Sequence, residues 1–302
     1  MPVYNAERTV CRMIDSIIAQ TYPDWELIAV NDGSADSSGI ILDLYANKEP
    51  RIKVIHKRNG GVAAARQDGI DMATGTYTIH ADSDDWIEPG MIKDMLEVAK
   101  NENSDVVISD FYTDCIGESV NKCVQAPLSL DAKDVLYGMY YHGLFGGLWH
   151  KMIKKVTYDK AFAEFYPGIN FCEDLLLLTR VLFRTNPQIA YLNNAYYHYV
   201  VNSDSLTQCV SQQGFASIKY FHKVALDMLS QNEGFATLSD KFIIDEFVVY
   251  FMNYLYHDTN ELRARYLKIK PLLIKKCGLR WKIGCFCIEI GAIVLAHKLI
   301  RF

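Results

Sequence analysis

The sequence lacks a basic excess, a paired cysteine motif and a membrane-spanning apolar run. Its formal net charge of -5 gives no general attraction to phosphate backbones, which argues against a nucleic-acid partner. Its eight cysteines show no C-x-x-C spacing, which excludes that kind of structural zinc site and favours reduced, buried thiols. The apolar stretch 283–296, which includes Glu289, is shorter than the roughly 20 residues that a spanning helix needs.

No charged and apolar leader opens the chain, because Met1 runs directly into Pro2 and Val3. The expected location is therefore the cytoplasm. Basic residues flank the stretch 283–296, as in helices that lie on an anionic membrane surface. They are Lys275, Lys276, Arg280, Lys282, Lys298 and Arg301. A peripheral contact of this C-terminal helix with the inner face of the cytoplasmic membrane is one expectation, and a helix packed on the protein is the alternative.

Strand and helix patterns alternate along the first third of the chain. Apolar spacing predicts a helix over 6–20, which Asn5 is placed to cap. The other expected elements are helices around 40–44, 62–72 and 91–99, and strands at 27–30, 52–55, 77–81 and 106–109. This alternation predicts a parallel or mostly parallel sheet with helices on its faces, in which ligands bind at the carboxyl ends of the strands.

After about residue 112 the alternation fades and helical spacing dominates. Helices are expected at roughly 131–142, 172–185, 213–230 and 238–257. The predicted division is therefore an α/β half over 1–112, a second half of the same domain over 113–210, and a helical C-terminal region over 211–302.

Acidic residues crowd the loop that follows the predicted strand 77–81. The run Asp82-Ser83-Asp84-Asp85 brings carboxylates close enough to repel one another, which favours a bound cation. Mn²⁺ and Mg²⁺ prefer such oxygen ligands and complete their shells with substrate phosphates and water. A solvated acidic turn that caps the next helix is the alternative for this segment alone.

Three other loops precede the acidic one in a fixed order. They are Pro2-Val3-Tyr4-Asn5, Asn31-Asp32-Gly33-Ser34 and the Asn59-Gly60-Gly61 run that leads to Arg66. Together with Asp82-Ser83-Asp84 they resemble the inverting family 2 glycosyltransferases, over nearly all of residues 1–110. This resemblance implies the glycosyltransferase A fold, in which a Rossmann-like α/β sheet binds the nucleotide sugar and a mainly helical C-terminal region follows.

The same resemblance implies a metal site and a donor site. Asp82-Ser83-Asp84 matches the Asp-x-Asp motif of the family: Asp82 would lie near the ribose and the metal, Asp84 would bind the metal, and Asp85 would support the donor sugar or the loop. A Mn²⁺ or Mg²⁺ ion there would neutralise the charge that builds on the departing diphosphate.

The remaining donor-site expectations concern the earlier loops. By resemblance, Asp32 would recognise the base, Tyr4 would lie against the nucleobase beside Pro2, and Arg66 would contact phosphate or base oxygens. A helix cap is the alternative for Asp32, and a surface salt bridge is the alternative for Arg66.

An acidic pair, Glu173-Asp174, opens a strongly apolar helix pattern in the second half. Acids are common at helix starts because they favour the positive end of the dipole. The family carries a Glu-Asp pair in this region, and one of its carboxylates is the general base that takes the acceptor hydroxyl's proton. The resemblance thus implies Asp174 as the base, with Glu173 as the second choice.

Two further segments resemble parts of the family's second half. Trp149 and Lys151 follow two glycines and would lie near the donor or acceptor sugar, although core packing explains Trp149 as well. His198, in a run that leads to a mobile loop in the family, would approach the metal, and a packed histidine is the alternative.

The expected function is transfer of a sugar, hexosyltransferase type, from a nucleoside diphosphate sugar, uridine-linked, to a hydroxyl of a cell-surface glycan or lipid-linked acceptor. A sugar-1-phosphate nucleotidyltransferase is a second hypothesis, but it calls for a basic Gly-rich loop after the first strand. A non-catalytic, truncated binding protein is a third, because family members carry several apolar strand residues before the segment that matches Pro2. The first strand is therefore expected to be missing or a stub.

Overall fold

The computed structural model describes residues 1–115, 120–166, 168–170, 172–201 and 212–230, and the positions 235, 243, 264, 266–272 and 288. The chain divides into two compact units, Met1–Ile218 and Lys219–Phe302. Apart from positions 243 and 288, the helix expected over 238–257 and the apolar stretch 283–296 lie outside the described residues. Both sheets and all candidate site residues belong to the first unit.

Strands and helices alternate as far as residue 115, and further strands follow. The strands are β1 Pro2–Val3, β2 Leu27–Asn31, β3 Ile52–His56, β4 Tyr77–Ile79, β5 Trp86–Ile87, β6 Val106–Cys115, β7 Asn121–Cys123, β8 Lys151–Lys154 and β9 Ile189–Val201. The helices are α1 Val10–Ile18, α2 Ser38–Lys48, α3 Val62–Met72, α4 Met91–Asn101, α5 Ala132–Tyr141, α6 Lys155–Ala161, α7 Glu173–Thr185 and α8 Gln212–Leu229.

The first sheet is parallel and has the order β1-β2-β3. Its short first strand pairs Pro2 with Val30 and Val3 with Asn31, and β2 continues the register by pairing Asn31 with His56. The carboxyl ends of all three strands therefore meet at one edge, where the loops after Val3, Asn31 and His56 lie side by side.

The second sheet is mixed and has the order β4-β8-β6-β9-β5, with β7 paired to β6. Its parallel pair is β6 with β9, and the pairs that involve β4, β5, β7 and β8 are antiparallel. The prediction of a mostly parallel sheet is therefore correct for β1–β3 and wrong for this sheet. The prediction that helices dominate after residue 112 also missed β7, β8 and β9.

Helix α1 shows how the apolar spacing becomes a buried face. Val10, Met13 and Ile14 are fully buried, and Ile17 is nearly so. The predicted cap is wrong: Asn5 has a positive φ of 49°, its side chain accepts a hydrogen bond from Ala35 N (2.9 Å), and α1 begins only at Val10. Asn5 thus joins the loop after β1 to the loop after β2 instead of starting the helix.

Candidate active site

The Asp82–Asp85 turn is held from behind by β9. The backbone N–H of Asp82 donates to the hydroxyl of Tyr197 (3.0 Å), and that hydroxyl donates to Asp85 Oδ2 (2.8 Å). The Val200 N–H donates to the other oxygen of Asp85 (2.8 Å). Tyr197 has no exposed surface, so the turn that carries Asp84 rests on a rigid interior support.

Asp85 is the inner carboxylate of this turn, with a relative exposure of 1%. Burial, together with the nearby charges of Asp82 and Asp84, raises its pKa to about 8, against the two hydrogen bonds from Tyr197 and Val200 that favour the charged form. Asp85 therefore anchors the Asp82–Asp85 turn to β9.

Arg66 on α3 joins three acidic side chains that are far apart in sequence. Its guanidinium donates to Asp82 Oδ1 (2.7 Å), to Glu173 Oε1 and to Asp174 Oδ1. The Arg66 side chain is only 5% exposed, so burial disfavours its charge, but the three carboxylates hold its pKa well above the ordinary value. We call these four residues the acidic cluster.

Asp174, in this cluster, has a pKa raised to the neutral range. Burial raises its pKa to about 7; Arg66 acts in the opposite direction, while Glu173 and Asp82 add to the rise. It also accepts a backbone hydrogen bond from Leu148. A carboxylate with such a pKa is suited to accept a proton at neutral pH.

The loops at the edge of the first sheet are joined through Asp32, which is 3% exposed. Its two carboxylate oxygens accept hydrogen bonds from the backbone N–H groups of Gly60 and Gly61, each at 2.8 Å. Gly61 has a positive φ of 87°, which glycine adopts without steric cost. The structure thus gives Asp32 a loop-bridging position, and the alternative of a helix cap does not apply.

Pro2 and Tyr4, predicted at the donor site, lie at the same edge. Pro2 belongs to β1, and Tyr4, just beyond it, is 55% exposed. Ser83 lies in the turn between Asp82 and Asp84 and is partly buried.

Trp149, Lys151 and His198 are all buried. Trp149 stacks on Tyr197 with ring centroids 4.4 Å apart. The Lys151 ammonium donates to the carbonyl oxygens of Phe145 and Gly147, both at 2.7 Å. These contacts give Trp149 and Lys151 interior positions under the loop 145–148, in keeping with the packing alternative for Trp149.

His198 has the surroundings of a packed histidine. Its ring stacks on Trp86 with centroids 3.6 Å apart, its Nδ1 lies 3.0 Å from Asp114 Oδ1, and its Nε2 lies 3.2 Å from Glu88 Oε1. Both ring nitrogens thus have carboxylate partners.

Two acidic residues of the turn remain as candidates for holding a metal. The described part of the chain contains no group of three or more His, Cys, Asp or Glu residues placed to bind an ion. Asp82 and Asp84, one residue apart, fit the kind of Mg²⁺ or Mn²⁺ site in which one or two carboxylates are completed by substrate phosphates and water.

Sequence reasoning did not identify Tyr197 as the support of the acidic turn. Residues 195–198 are all buried, so β9 shows no alternation of polarity there. The contact between Tyr197 and Asp85 spans 112 positions, which no local pattern shows.

The comparisons with known proteins concern the family and the fold. The sequence profile described as Glycosyl transferase family 2 matches residues 1–172. The uncharacterized glycosyltransferase EpsJ of Bacillus subtilis is 32% identical over 69% of this chain and 62% of its own length, and the putative glycosyltransferase EpsH of the same organism is 30% identical over 80% and 72%. The chain thus spans less than two thirds of EpsJ.

A solved structure shares the architecture. The crystal structure of S. aureus TarS 1–349 in complex with UDP-GlcNAc superposes with a TM-score of 0.71 at 17% identity, over 99% of this chain and 89% of that one. The fold is therefore the glycosyltransferase A type that the motifs implied. This chain belongs to glycosyl transferase family 2. Within the described residues, no helix is both long and apolar enough to cross a membrane.

Proposed function

We propose that this protein is an inverting, metal-assisted glycosyltransferase that moves a sugar from a uridine diphosphate sugar to a hydroxyl of a glycan or lipid-linked acceptor. The observation that carries the proposal is the acidic cluster. One buried guanidinium contacts both Asp82, in the Asp-x-Asp turn, and the pair Glu173 and Asp174 at the start of α7. The candidate metal turn and the candidate base therefore both contact the same buried guanidinium.

The donor would occupy the edge of the first sheet. Tyr4 offers an exposed ring for the base, and the loops joined by Asp32 provide the walls of the nucleotide site. Mn²⁺ or Mg²⁺ held by Asp82 and Asp84 supplies charge neutralisation for the leaving diphosphate. That the donor is uridine-linked is supported by the UDP-GlcNAc bound to TarS.

Asp174 would serve as the general base. Inversion requires the acceptor oxygen to attack from the face opposite the leaving group and to lose its proton during the attack. Asp174 lies beside the turn, has a pKa near 7 and is held by Leu148 and Arg66. Glu173, bound to the same guanidinium, is the second candidate.

The competing hypotheses fit less well. A sugar-1-phosphate nucleotidyltransferase calls for a basic Gly-rich loop after the first strand, and the residues after β1 are Tyr4 and Asn5. A non-catalytic binding protein would not need a carboxylate tuned to neutral pH beside the metal turn. Contact of 275–302 with an anionic membrane stays a proposal, and failure of the intact protein to pellet with anionic liposomes would remove it.

Titration of UDP by calorimetry, with and without Mn²⁺, tests the donor site. We expect Mn²⁺-dependent binding to the wild type, loss of the metal dependence in Asp84→Ala, and, in Asp174→Asn, intact binding without turnover. Absence of UDP binding under both conditions would refute the uridine donor.

A further inference from the structure

A chain of hydrogen bonds leads from the surface of α2 to the donor loop after β2. Ser34 N–H donates to Asn31 Oδ1 (3.0 Å), Asn31 Nδ2 lies 3.0 Å from His56 Nδ1, and His56 Nε2 lies 3.0 Å from Asp43 Oδ1. Asn31 is 8% exposed, whereas the His56 and Asp43 side chains are 46% and 58% exposed. The chain thus connects solvent with the interior of the loop 31–34.

The donor and acceptor roles in this chain follow from its inner end. A backbone N–H can only donate, so the side-chain atom of Asn31 that faces Ser34 must be its oxygen. The amide nitrogen therefore faces His56 and donates, which requires a lone pair on His56 Nδ1. A neutral imidazole with that lone pair carries its proton on Nε2, where Asp43 accepts it.

The packing around the Asn31–His56 contact is close. A Cβ atom on Gly39 of α2 would lie 2.8 Å from Asn31 Nδ2 and 3.5 Å from His56 Cε1. A side chain at position 39 would therefore collide with the Asn31 amide, and the backbone of α2 packs directly against it. The loop that Asn31 holds also accepts, through Ser34 Oγ, a hydrogen bond from Asn5 N–H (3.1 Å), which ties it to the loop of Tyr4.

We propose that His56, acting through Asn31, is a positioning residue for the donor loop 31–34, and that this loop is in its binding geometry only when His56 is neutral. The proposal rests on the donor site argued above. Protonated His56 would present Nδ1–H to the Asn31 amide nitrogen. Asn31 would then have to turn its oxygen toward His56, and Ser34 N–H would lose its acceptor.

The surroundings of His56 define its charge environment. Asp43 is the charged group that faces it from α2, and the neutral Asn31 amide faces it from β2. The neighbouring Lys57 ammonium is paired with Asp68 of α3. Acidification that protonates His56 should therefore loosen the loop 31–34.

Two variants separate the acceptor role from the titration. In His56→Asn, Oδ1 takes approximately the place of Nδ1 and accepts from Asn31 but cannot be protonated. In His56→Leu the acceptor is absent at every pH, and the partly exposed position tolerates the change. Thermal unfolding of both variants checks that the fold is kept.

The first measurement is amide hydrogen exchange of the peptide around Ser34 in the ligand-free protein, compared among the three proteins at matched pH. At pH 8 we expect similar protection in wild type and His56→Asn, and faster exchange by about 5- to 10-fold in His56→Leu, the equivalent of one lost hydrogen bond. At pH 5.5 the wild type should approach His56→Leu while His56→Asn stays protected. Equal exchange in all three proteins would overturn the proposal.

The second measurement is UDP affinity with Mn²⁺ by calorimetry at the same two pH values. Ionisation of UDP and of the acidic cluster affects all three proteins alike, so the comparison isolates His56. We expect the wild type to lose about 5- to 10-fold more affinity than His56→Asn on acidification; equal losses would refute the positioning role. If the wild type binds no UDP at either pH, the donor assignment fails, while hydrogen exchange still decides whether His56 fixes the loop.

Discussion

Two regions of the site hold their carboxylates in contrasting ways. Asp32, in the donor loops, is bound by backbone N–H groups of Gly60 and Gly61, so its partners depend only on the conformation of one loop. Asp82, Glu173 and Asp174 share the guanidinium of Arg66. The first arrangement fixes the shape of one loop. The second connects the Asp82–Asp85 turn, α3 and α7 through the single charge of Arg66, so substitutions in it should reduce stability and turnover more.

Replacement of the candidate base should have the largest effect. In Asp174→Asn we expect turnover to fall by about 10²- to 10⁴-fold with little change in UDP affinity, because the amide keeps the shape but cannot take a proton. Glu173→Gln is the matched control, and its turnover should fall less than that of Asp174→Asn. A larger loss in Glu173→Gln than in Asp174→Asn would transfer the role to Glu173.

The pH dependence of turnover should report the same group. Burial raises the pKa of Asp174 to about 7, so the carboxyl carries its proton below that pH and cannot accept another. Turnover should therefore fall as the pH drops through about 7. A rate that stays constant from pH 8 to 5.5, measured at saturating donor, would contradict this assignment.

Removal of the shared cation should destabilise the fold. Arg66→Met leaves three carboxylates facing one another with no counter-charge, and we expect the free energy of unfolding to fall by about 3–5 kcal/mol. Arg66→Lys keeps the positive charge but not the planar guanidinium that contacts three carboxylates. Its free energy of unfolding should therefore fall less than that of Arg66→Met. Urea denaturation measures both, and a loss below about 1 kcal/mol in Arg66→Met would show that the cluster is not held by Arg66.

Removal of the backbone-bound carboxylate should have a smaller effect. Asp32→Ala leaves the N–H groups of Gly60 and Gly61 without their acceptor, at a cost of about 1–3 kcal/mol, and should weaken UDP binding. Asp36→Ala is the control, because the half-buried Asp36 also accepts backbone hydrogen bonds, from Glu7 and Ser38. Equal loss of UDP affinity in both variants would argue against a donor-site role of Asp32.

Glu26 offers the mildest test, since it also holds a loop by backbone N–H groups. Burial opposes its charge, but hydrogen bonds from Lys53, Thr74 and Gly75 lower its pKa to about 2. The contribution of Glu26 to the free energy of unfolding is therefore complete above its unfolded pKa of about 4.5 and is lost as the pH falls toward 2. Glu26→Gln should cost about 1 kcal/mol at pH 7, and the difference from wild type in urea denaturation should shrink at acid pH. If the difference in unfolding free energy between wild type and Glu26→Gln stays the same from pH 7 to acid pH, the lowered pKa of Glu26 is contradicted.

Local patterns predicted the elements of the first half well. The helix expected at 62–72 is α3, and the strands expected at 27–30 and 52–55 are β2 and β3, each longer by one residue. Here apolar runs and glycine-containing loops mark each boundary. In α2, by contrast, the apolar Ile40 and Leu44 are exposed, and Ser38 and Leu42 are buried, so the helix expected around 40–44 is present but its apolar residues do not all face the core.

The second half was less predictable because its structure depends on distant partners. β9 bonds in parallel with β6, some 80 residues earlier in the chain, and its mixture of aromatic and polar residues has no helix-like or simple strand-like run. The link from Arg66 to Asp174 spans 108 positions, so no local pattern could show it. The family resemblance named both residues but not their contact.

The packing of Gly61 against Asn170 has a consequence for chimeric enzymes. A Cβ at position 61 would lie 2.4 Å from Asn170 Oδ1, and Asn170 also accepts from Ala63 N–H (3.4 Å), three residues before α7. The loop at the first sheet and the lead-in to the acidic pair are therefore fitted to each other. An exchange of the second half between relatives would have to bring a side chain no larger than asparagine at position 170, or the recombined halves would clash before any substrate was bound.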